Sequence, residues 1–234
     1  MNNWFSTFQS QFVKCFIQDD RYYSLLCGIG VTVRVSVVAA LIGIIIGFII
    51  CLCNLSKNKT LRFLANAYID VIRGTPSVTQ LMIIYFVVFA SVRLDKCLIA
   101  AFAFGINSGA YVAEIFRAGI QSIDKGQTEA GRSLGLSEFQ TMTKIVFPQA
   151  LKNIFPSLSN EFIVLIKETA IVGYVGLVDI QKAGDFIRSN TYIAFMPLIA
   201  TAIIYYVLIK ILALSLKRVE DRLRLSDGVI GAAV

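Results

Sequence analysis

The run Val35-Ser-Val-Val-Ala-Ala-Leu-Ile-Gly-Ile-Ile-Ile-Gly-Phe-Ile-Ile-Cys-Leu-Cys53 is nineteen residues long and carries no charge. A helix of about 20 such residues, rising about 1.5 Å each, matches the roughly 30 Å hydrocarbon core of a bilayer. The stretch therefore reads as a membrane span, entered from about Ser24 with Arg34 inside its approach. Working outward, the same pattern recurs from Gly74 to Val92, preceded by a half-apolar stretch from Thr60, and from Cys97 to Ala113. It recurs again from Asn153 to about Val178, with Glu161, Lys167 and Glu168 inside, and from Ser189 to Ile209. In lipid every backbone polar group needs an internal partner, which leaves helices as the reading for spans of this length. The expected fold is all-α: a polytopic membrane helical bundle of five transmembrane helices.

Composition agrees. Hydrophobic residues make up 56% of the 234 positions and charged residues 16%, against about 25% charged in soluble domains. Histidine is absent, which excludes imidazole metal sites and His-based acid–base chemistry. The five cysteines lie mostly in or beside apolar runs and read as small hydrophobes, with no metal implied. The net charge of +7 falls in loops, so it speaks for membrane orientation and against nucleic acid as a partner.

Residues 1–21 lack a basic leader before an apolar core, and no cleaved signal is expected. Trp4, Phe5, Phe8, Phe12 and Phe16 recur at helical spacing and suggest an interfacial amphipathic segment. Residues 22–216 form the membrane domain and 217–234 a tail. Twelve basic residues fall after span 1 (Lys57, Lys59, Arg62), after span 3 (Arg117, Lys125, Arg132, Lys144, Lys152) and in the tail (Lys217, Arg218, Arg222, Arg224). Six fall on the opposite side: Lys14, Arg21, Arg93, Lys96, Lys182 and Arg188. The bias predicts an outside N-terminus, a cytoplasmic C-terminus and a cytoplasmic loop at about 121–150. Gly43-xxx-Gly47 and Gly105-xxx-Gly109 offer close helix contacts.

That loop reads as a short helix between stops. Gln127–Leu134 is helical in character, Gly135 suits a left-handed C-cap, and Ser137 with Gln140 forms a capping-box pattern. Pro148 marks the bend into span 4. Ala130 and Gly131 are expected to keep one surface small for docking. A loop that merely connects two spans is the competing reading on these residues alone.

The spacing Glu129-Ala130-Gly131, Gly135, Ile145, Pro148 resembles the "EAA" loop of ABC-importer permeases. Arg73-Gly74-Thr75-Pro76 with Gln80-Leu81 and Tyr85-Phe86, the run from Ser108 to Ile120, Lys125-Gly126-Gln127, Leu134-Gly135-Leu136-Ser137 and Lys167-Glu168-Thr169 are similar to segments of the polar amino-acid uptake branch. Gly131, Phe147 and Ala170 depart from the usual Ala, Leu and Ser. The resemblance covers about Ser24 to Leu225. It implies a cell (inner) membrane permease whose loop seats in a separate ATP-binding-cassette ATPase, present as a dimer of subunits. It also implies a second permease, identical or different, and an extracytoplasmic amino-acid-binding protein. No Gly-x4-Gly-Lys-[Ser/Thr] loop occurs. The chain is thus expected to be no enzyme and to bind no cofactor, with ATP and Mg on the partner.

Charges and breaks inside spans are the candidates for a substrate path. Gly74-Thr75-Pro76 interrupts span 2, and Asp70 could pair with Arg73 three residues on. A kink braced by that pair is the competing reading. Glu161, Leu165 and Glu168 share one helical face and could meet a cationic group; bracing between spans competes. Asn107, Ser108 and Glu114 are further candidates. An ATP-independent carrier or channel for a small polar solute would also suit Arg34, Glu161 and Lys167, and the EAA-like loop argues against it.

Overall fold

The computed structural model describes the backbone of residues 2–231 and the side chains of residues 4–222. Met1, residues 232–234 and the Arg224 side chain lie outside the described residues. The elements are α1 (Asn2–Phe12), α2 (Arg21–Leu55), α3 (Lys59–Arg73), α4 (Ser77–Ile83), α5 (Lys96–Gln121), α6 (Lys125–Ser133), α7 (Glu138–Thr141), α8 (Phe147–Glu168), α9 (Ile180–Thr191) and α10 (Phe195–Gly231). π-Helical turns continue α1, α4 and α7. No strand occurs among the described residues.

Among the described residues, three helical stretches are long and apolar enough to cross a membrane: Trp4–Leu55, Lys96–Gln121 and Phe195–Arg222. The pair Lys59–Arg73 and Ser77–Val88 qualifies only together, bent by 106° at the break. α8 falls short on apolarity because it carries Lys152, Glu161, Lys167 and Glu168. Its 22 residues still reach about 33 Å at about 1.5 Å per residue. These make up the five expected segments, with altered ends. The helix of span 4 stops at Glu168 and tightens to a 3-10 turn through Val175. Span 5 starts at Phe195, because α9 occupies Ile180–Thr191 and Tyr192 turns left-handed at φ 58. α10 passes through position 217 without a break.

The chain divides into two compact units. The first comprises Met1–Leu41, Thr75–Gly105 and Val164–Ile211. Its core joins Val35 and Ala39 of α2, Leu81 of α4, Ala100 and Phe104 of α5, Leu165 of α8, and Val172 and Val175. A second cluster joins Cys15, Phe16 and Leu25 to Ala183, Ile187 and Met196. In lipid the hydrophobic effect does not drive helix onto helix, so attraction comes from close packing at small residues. A Cβ on Gly28 would lie 2.7 Å from the Asp179 carbonyl carbon, and one on Gly184 would overlap the Thr201 methyl. α9 is therefore seated tightly against both α2 and α10. Buried Asp179 caps α9 by accepting the Gln181 and Lys182 amides, and it accepts the Tyr205 hydroxyl at 2.9 Å. Burial pushes the Asp179 carboxyl above its ordinary value, against these hydrogen bonds. Arg34, expected inside span 1, lies 3.6 Å from Asp95 in the link before α5.

The second unit comprises Ile42–Gly74, Ile106–Ile163 and Leu212–Val234. Its core is Cys51, Val112, Phe116, Ala150 and Ile154. Gly47 meets Val112, Gly109 meets Ile46 and the Tyr68 hydroxyl, and Gly119 meets Ile154, each so closely that a side chain would not fit. One glycine of each small-xxx-small pair, Gly47 and Gly109, thus sits at a helix contact.

Candidate functional site

The second unit holds a cavity of about 520 Å³ lined by α5 and α8, with Arg73 at the end of α3. From α5 come Tyr111, Glu114 and Ala118, recurring at three and four residues on one face, with Ser122 in the turn just after it. From α8 come Asn153, Ser157 and Glu161, spaced by four. Glu114 is saturated with positive charge. Arg117 donates to both of its oxygens at 2.8 and 2.9 Å, and Arg73 stands 3.7 Å away. The Arg73 guanidinium also lies over the Tyr111 ring, 5.4 Å from its centroid, where the ring's negative face attracts a cation. Glu161 differs: its hydrogen bond comes from the buried Ser108 hydroxyl at 2.8 Å, and no described basic side chain pairs with it. The cavity therefore offers one uncompensated carboxylate together with a guanidinium that is only partly engaged.

Several expectations change here. Arg73 does not pair with Asp70; it reaches across to Glu114 of α5 instead. Of the Arg73–Pro76 break, only Arg73 lines the cavity. The carbonyl that the break frees at Thr75 is taken by Gln80, whose amide donates to the Thr75 carbonyl and, at 2.6 Å, to its hydroxyl. Glu161 lines the cavity and Glu168 does not, and Leu165 between them is buried in the first unit's core. Asn107 is buried and not a lining residue. Tyr111, Asn153 and Ser157 were missed, although the Asn153-x3-Ser157-x3-Glu161 stripe was visible as polar residues on one helical face.

The loop at 122–150 folds as its local signals predict. Asp124 caps α6 through the Gly126 amide, and Gly135 adopts φ 81 just past its end. The Gly135 amide donates to the Arg132 carbonyl, the Leu136 amide to the Gly131 carbonyl, and Arg132 Nη1 to the Leu136 carbonyl at 2.7 Å. Ser137 and Gln140 form the full capping box at the start of α7. Pro148 lies inside a continuous helical run, just after the π-helical turn Met142–Val146 that joins α7 to α8, so no break marks the expected bend there. Gly131, however, is turned inward. A Cβ there would lie 2.8 Å from the Thr141 methyl and 2.9 Å from Ile145 Cδ1. Ala130, Glu129 and Gly135 stay exposed. The small residue at 131 and Ile145 thus close the loop on itself, and the expectation of a docking surface at Gly131 is corrected to an internal contact.

Residues 39–225 match the model of the binding-protein-dependent transport system inner membrane component family. The chain belongs to this family. It is a permease subunit of the ABC-importer type, a multi-pass inner membrane protein. The permease is 41% identical over 198 residues to the putative glutamine transport system permease protein GlnP of Rickettsia bellii, covering 84% of this chain and 91% of that one. It is 42% identical over 205 residues to the arginine transport system permease protein ArtQ of Bacillus subtilis, covering 87% and 94%. A solved amino acid ABC transporter, crystallised with histidines, superposes with a TM-score of 0.80 at 40% identity, covering 88% of this permease and 98% of that chain.

Proposed function

We propose that this permease carries a polar amino acid, and that the cavity at Arg73, Glu114 and Glu161 is where its charged groups are met. One observation carries the reading: a family member whose cavity holds an uncompensated carboxylate, Glu161, near a guanidinium that retains free donors. An amino acid presents the complementary pair, with its ammonium for Glu161 and its carboxylate for Arg73. A cationic side chain fits the extra acidic group better than a neutral one, and relatives named for arginine and for glutamine frame the choice. ATP and Mg belong to a partner ATPase, which receives the loop around Glu129–Pro148. An extracytoplasmic binding protein delivers substrate, and a second permease completes the path.

Uptake of radiolabelled arginine and glutamine by the reconstituted complex tests this. Losing a hydrogen bond to a charged group costs about 1.5–3 kcal/mol. Glu161→Gln is therefore expected to weaken substrate affinity roughly ten- to a hundredfold in a normally assembled complex. Assembly and uptake equal to the parent would remove Glu161 from the site.

The basic-residue bias supports a cytoplasmic loop and C-terminus with the N-terminus outside. With native cysteines replaced, a cysteine at Lys57 or Glu129 is expected to resist an impermeant thiol reagent in intact cells. One at Asp95 or Lys182 is expected to react. The reverse pattern would invert the topology.

A further inference from the structure

Within the first unit, α1 and α10 meet along apolar side chains that leave a space unfilled between them. Trp4, Phe8, Phe12 and Phe16 recur every fourth residue and form one stripe down α1 and the π-helical turn that continues it. Trp4 stacks on Phe8 with ring centroids 5.7 Å apart, and Phe12 meets Phe16 at 5.1 Å. Met196, Ile199 and Ala200 face the stripe from α10 across a cavity of about 190 Å³ whose lining is apolar throughout. Its floor is Phe16 and Met196, buried together with Ala183 and Ile187. Its mouth is formed by Phe8, Phe12 and Ile199, which stay exposed.

Three occupants can be weighed by size and chemistry. Water finds no polar partner in such a lining. A protein helix is too thick, since one turn of a helix about 10 Å across takes up roughly 400 Å³. A hydrocarbon chain is slender, needs no hydrogen bond, and restores the dispersion contacts that an empty void forfeits. The surroundings supply one. α10 is apolar enough to span the membrane, and the mouth opens along its flank. The face of α1 opposite the aromatic stripe carries Thr7, Ser10 and Lys14, all exposed. A helix with one aromatic and one polar face belongs at the boundary between headgroups and acyl chains, where tryptophan is also favoured. A helix resting at that depth against a span leaves a wedge beneath it, level with the start of the lipid tails.

We propose that the cavity between α1 and α10 is a phospholipid site that takes a single acyl chain. The chain enters past Phe8, Phe12 and Ile199 and ends against Phe16 and Met196, while the headgroup stays outside the cavity. The lipid then belongs to the packing of α1 on α10, and it exchanges more slowly than the lipids that merely surround the spans.

Trp4 is the one tryptophan of the chain, and its contact with Phe8 makes its emission a reporter of the mouth. The purified complex in detergent is titrated with phosphatidylcholine brominated on an acyl chain, and the signal of a Trp4→Phe complex is subtracted to isolate Trp4. Bromine quenches at contact, and quenching is expected to saturate while lipid is still sparse in the micelles. Ala200→Phe fills the cavity from its wall, and Ile199→Phe narrows the mouth from an exposed position that leaves the floor untouched. Both are expected to lose the saturable quenching, with Trp4 emission in unbrominated lipid unchanged. If Ala200→Phe shifts that emission, Ile199→Phe alone decides. Quenching that rises in proportion to added lipid, alike in parent and variants, would mean surrounding lipid only and overturn the site. A parent that is not quenched at all would overturn it too, because the mouth would then be covered by protein, such as a second permease.

Discussion

The loop between α5 and α8 and the polar cavity belong to the same unit, yet they are specified in opposite ways. The loop is set by neighbours in sequence: Asp124 with Gly126, Arg132 with Leu136, and Ser137 with Gln140, each within four residues. The cavity is set by distant ones: Arg73 with Glu114, and Ser108 with Glu161 across 53 positions. A locally specified element can hold its shape while its partners come and go. A non-locally specified one changes whenever its helices shift against each other. The first suits a docking knob, and the second suits a site that must bind and release.

The sharpest way to break this contrast is to disturb the cavity at Glu114. Its carboxylate accepts two bonds from Arg117 and faces Arg73. Glu114→Gln removes the charge that balances both guanidinium groups, a loss of about 1.5–3 kcal/mol for hydrogen bonds to a charged group. Affinity for a cationic amino acid, measured by competition of uptake, is expected to fall about tenfold or more. Hydrogen exchange of the loop is expected to stay at the parent level. A loosened loop would show that the two regions are not independently specified.

A smaller effect is expected at two of the loop's glycines, Gly131 and Gly135, which fail for different reasons. Gly131→Leu drives a side chain into Thr141 and Ile145, and such overpacking costs about 1–3 kcal/mol. Gly135→Ala meets open space, and its cost is the left-handed backbone alone, roughly 1–2 kcal/mol. Both are expected to raise proteolytic cleavage in 125–146, the leucine variant more, and to lower ATP-coupled uptake. If Gly135→Ala were the worse of the two, the inward packing of Gly131 would not be what closes the loop.

The slightest effect lies at Asp95, a local cap outside the loop. The Cys97 amide, with that of Leu98 and the nearby Arg34 guanidinium, holds its carboxyl below its ordinary range. A carboxyl lowered in this way stabilises the fold fully above its unfolded value, and that contribution is lost as pH falls through the folded value. Thermal unfolding of the parent is expected to weaken slightly more than that of Asp95→Asn as pH drops from about 6 to about 3. Parallel curves would show that the cap does not favour the charged form.

The same contrast explains what the sequence made legible. Spans, caps and the Gly135 turn follow from runs and spacings of a few residues; the caps and the turn appear where expected, and the spans appear with altered ends. The inward face of Gly131 was not legible, since it depends on Thr141 and Ile145 folding back. Nor was the Arg73–Glu114 pair, because helical spacing favoured Asp70 and only the packing of α3 beside α5 decides otherwise. Nor was α9: Gln181, Lys182, Asp185 and Arg188 read as a link between the expected spans 4 and 5, and its stop is Tyr192, which no composition rule marks.

α9 is wedged at Gly28 and Gly184 and pinned at Asp179 to Tyr205. A helix so seated has little compliance of its own. A load applied to its exposed Phe186 and Arg188 meets close contact with backbone at Gly28 and with the Thr201 methyl at Gly184, which leaves little room for sliding. It passes into α2 and α10 as displacement. In mechanical terms α9 is a strut between α2 and α10.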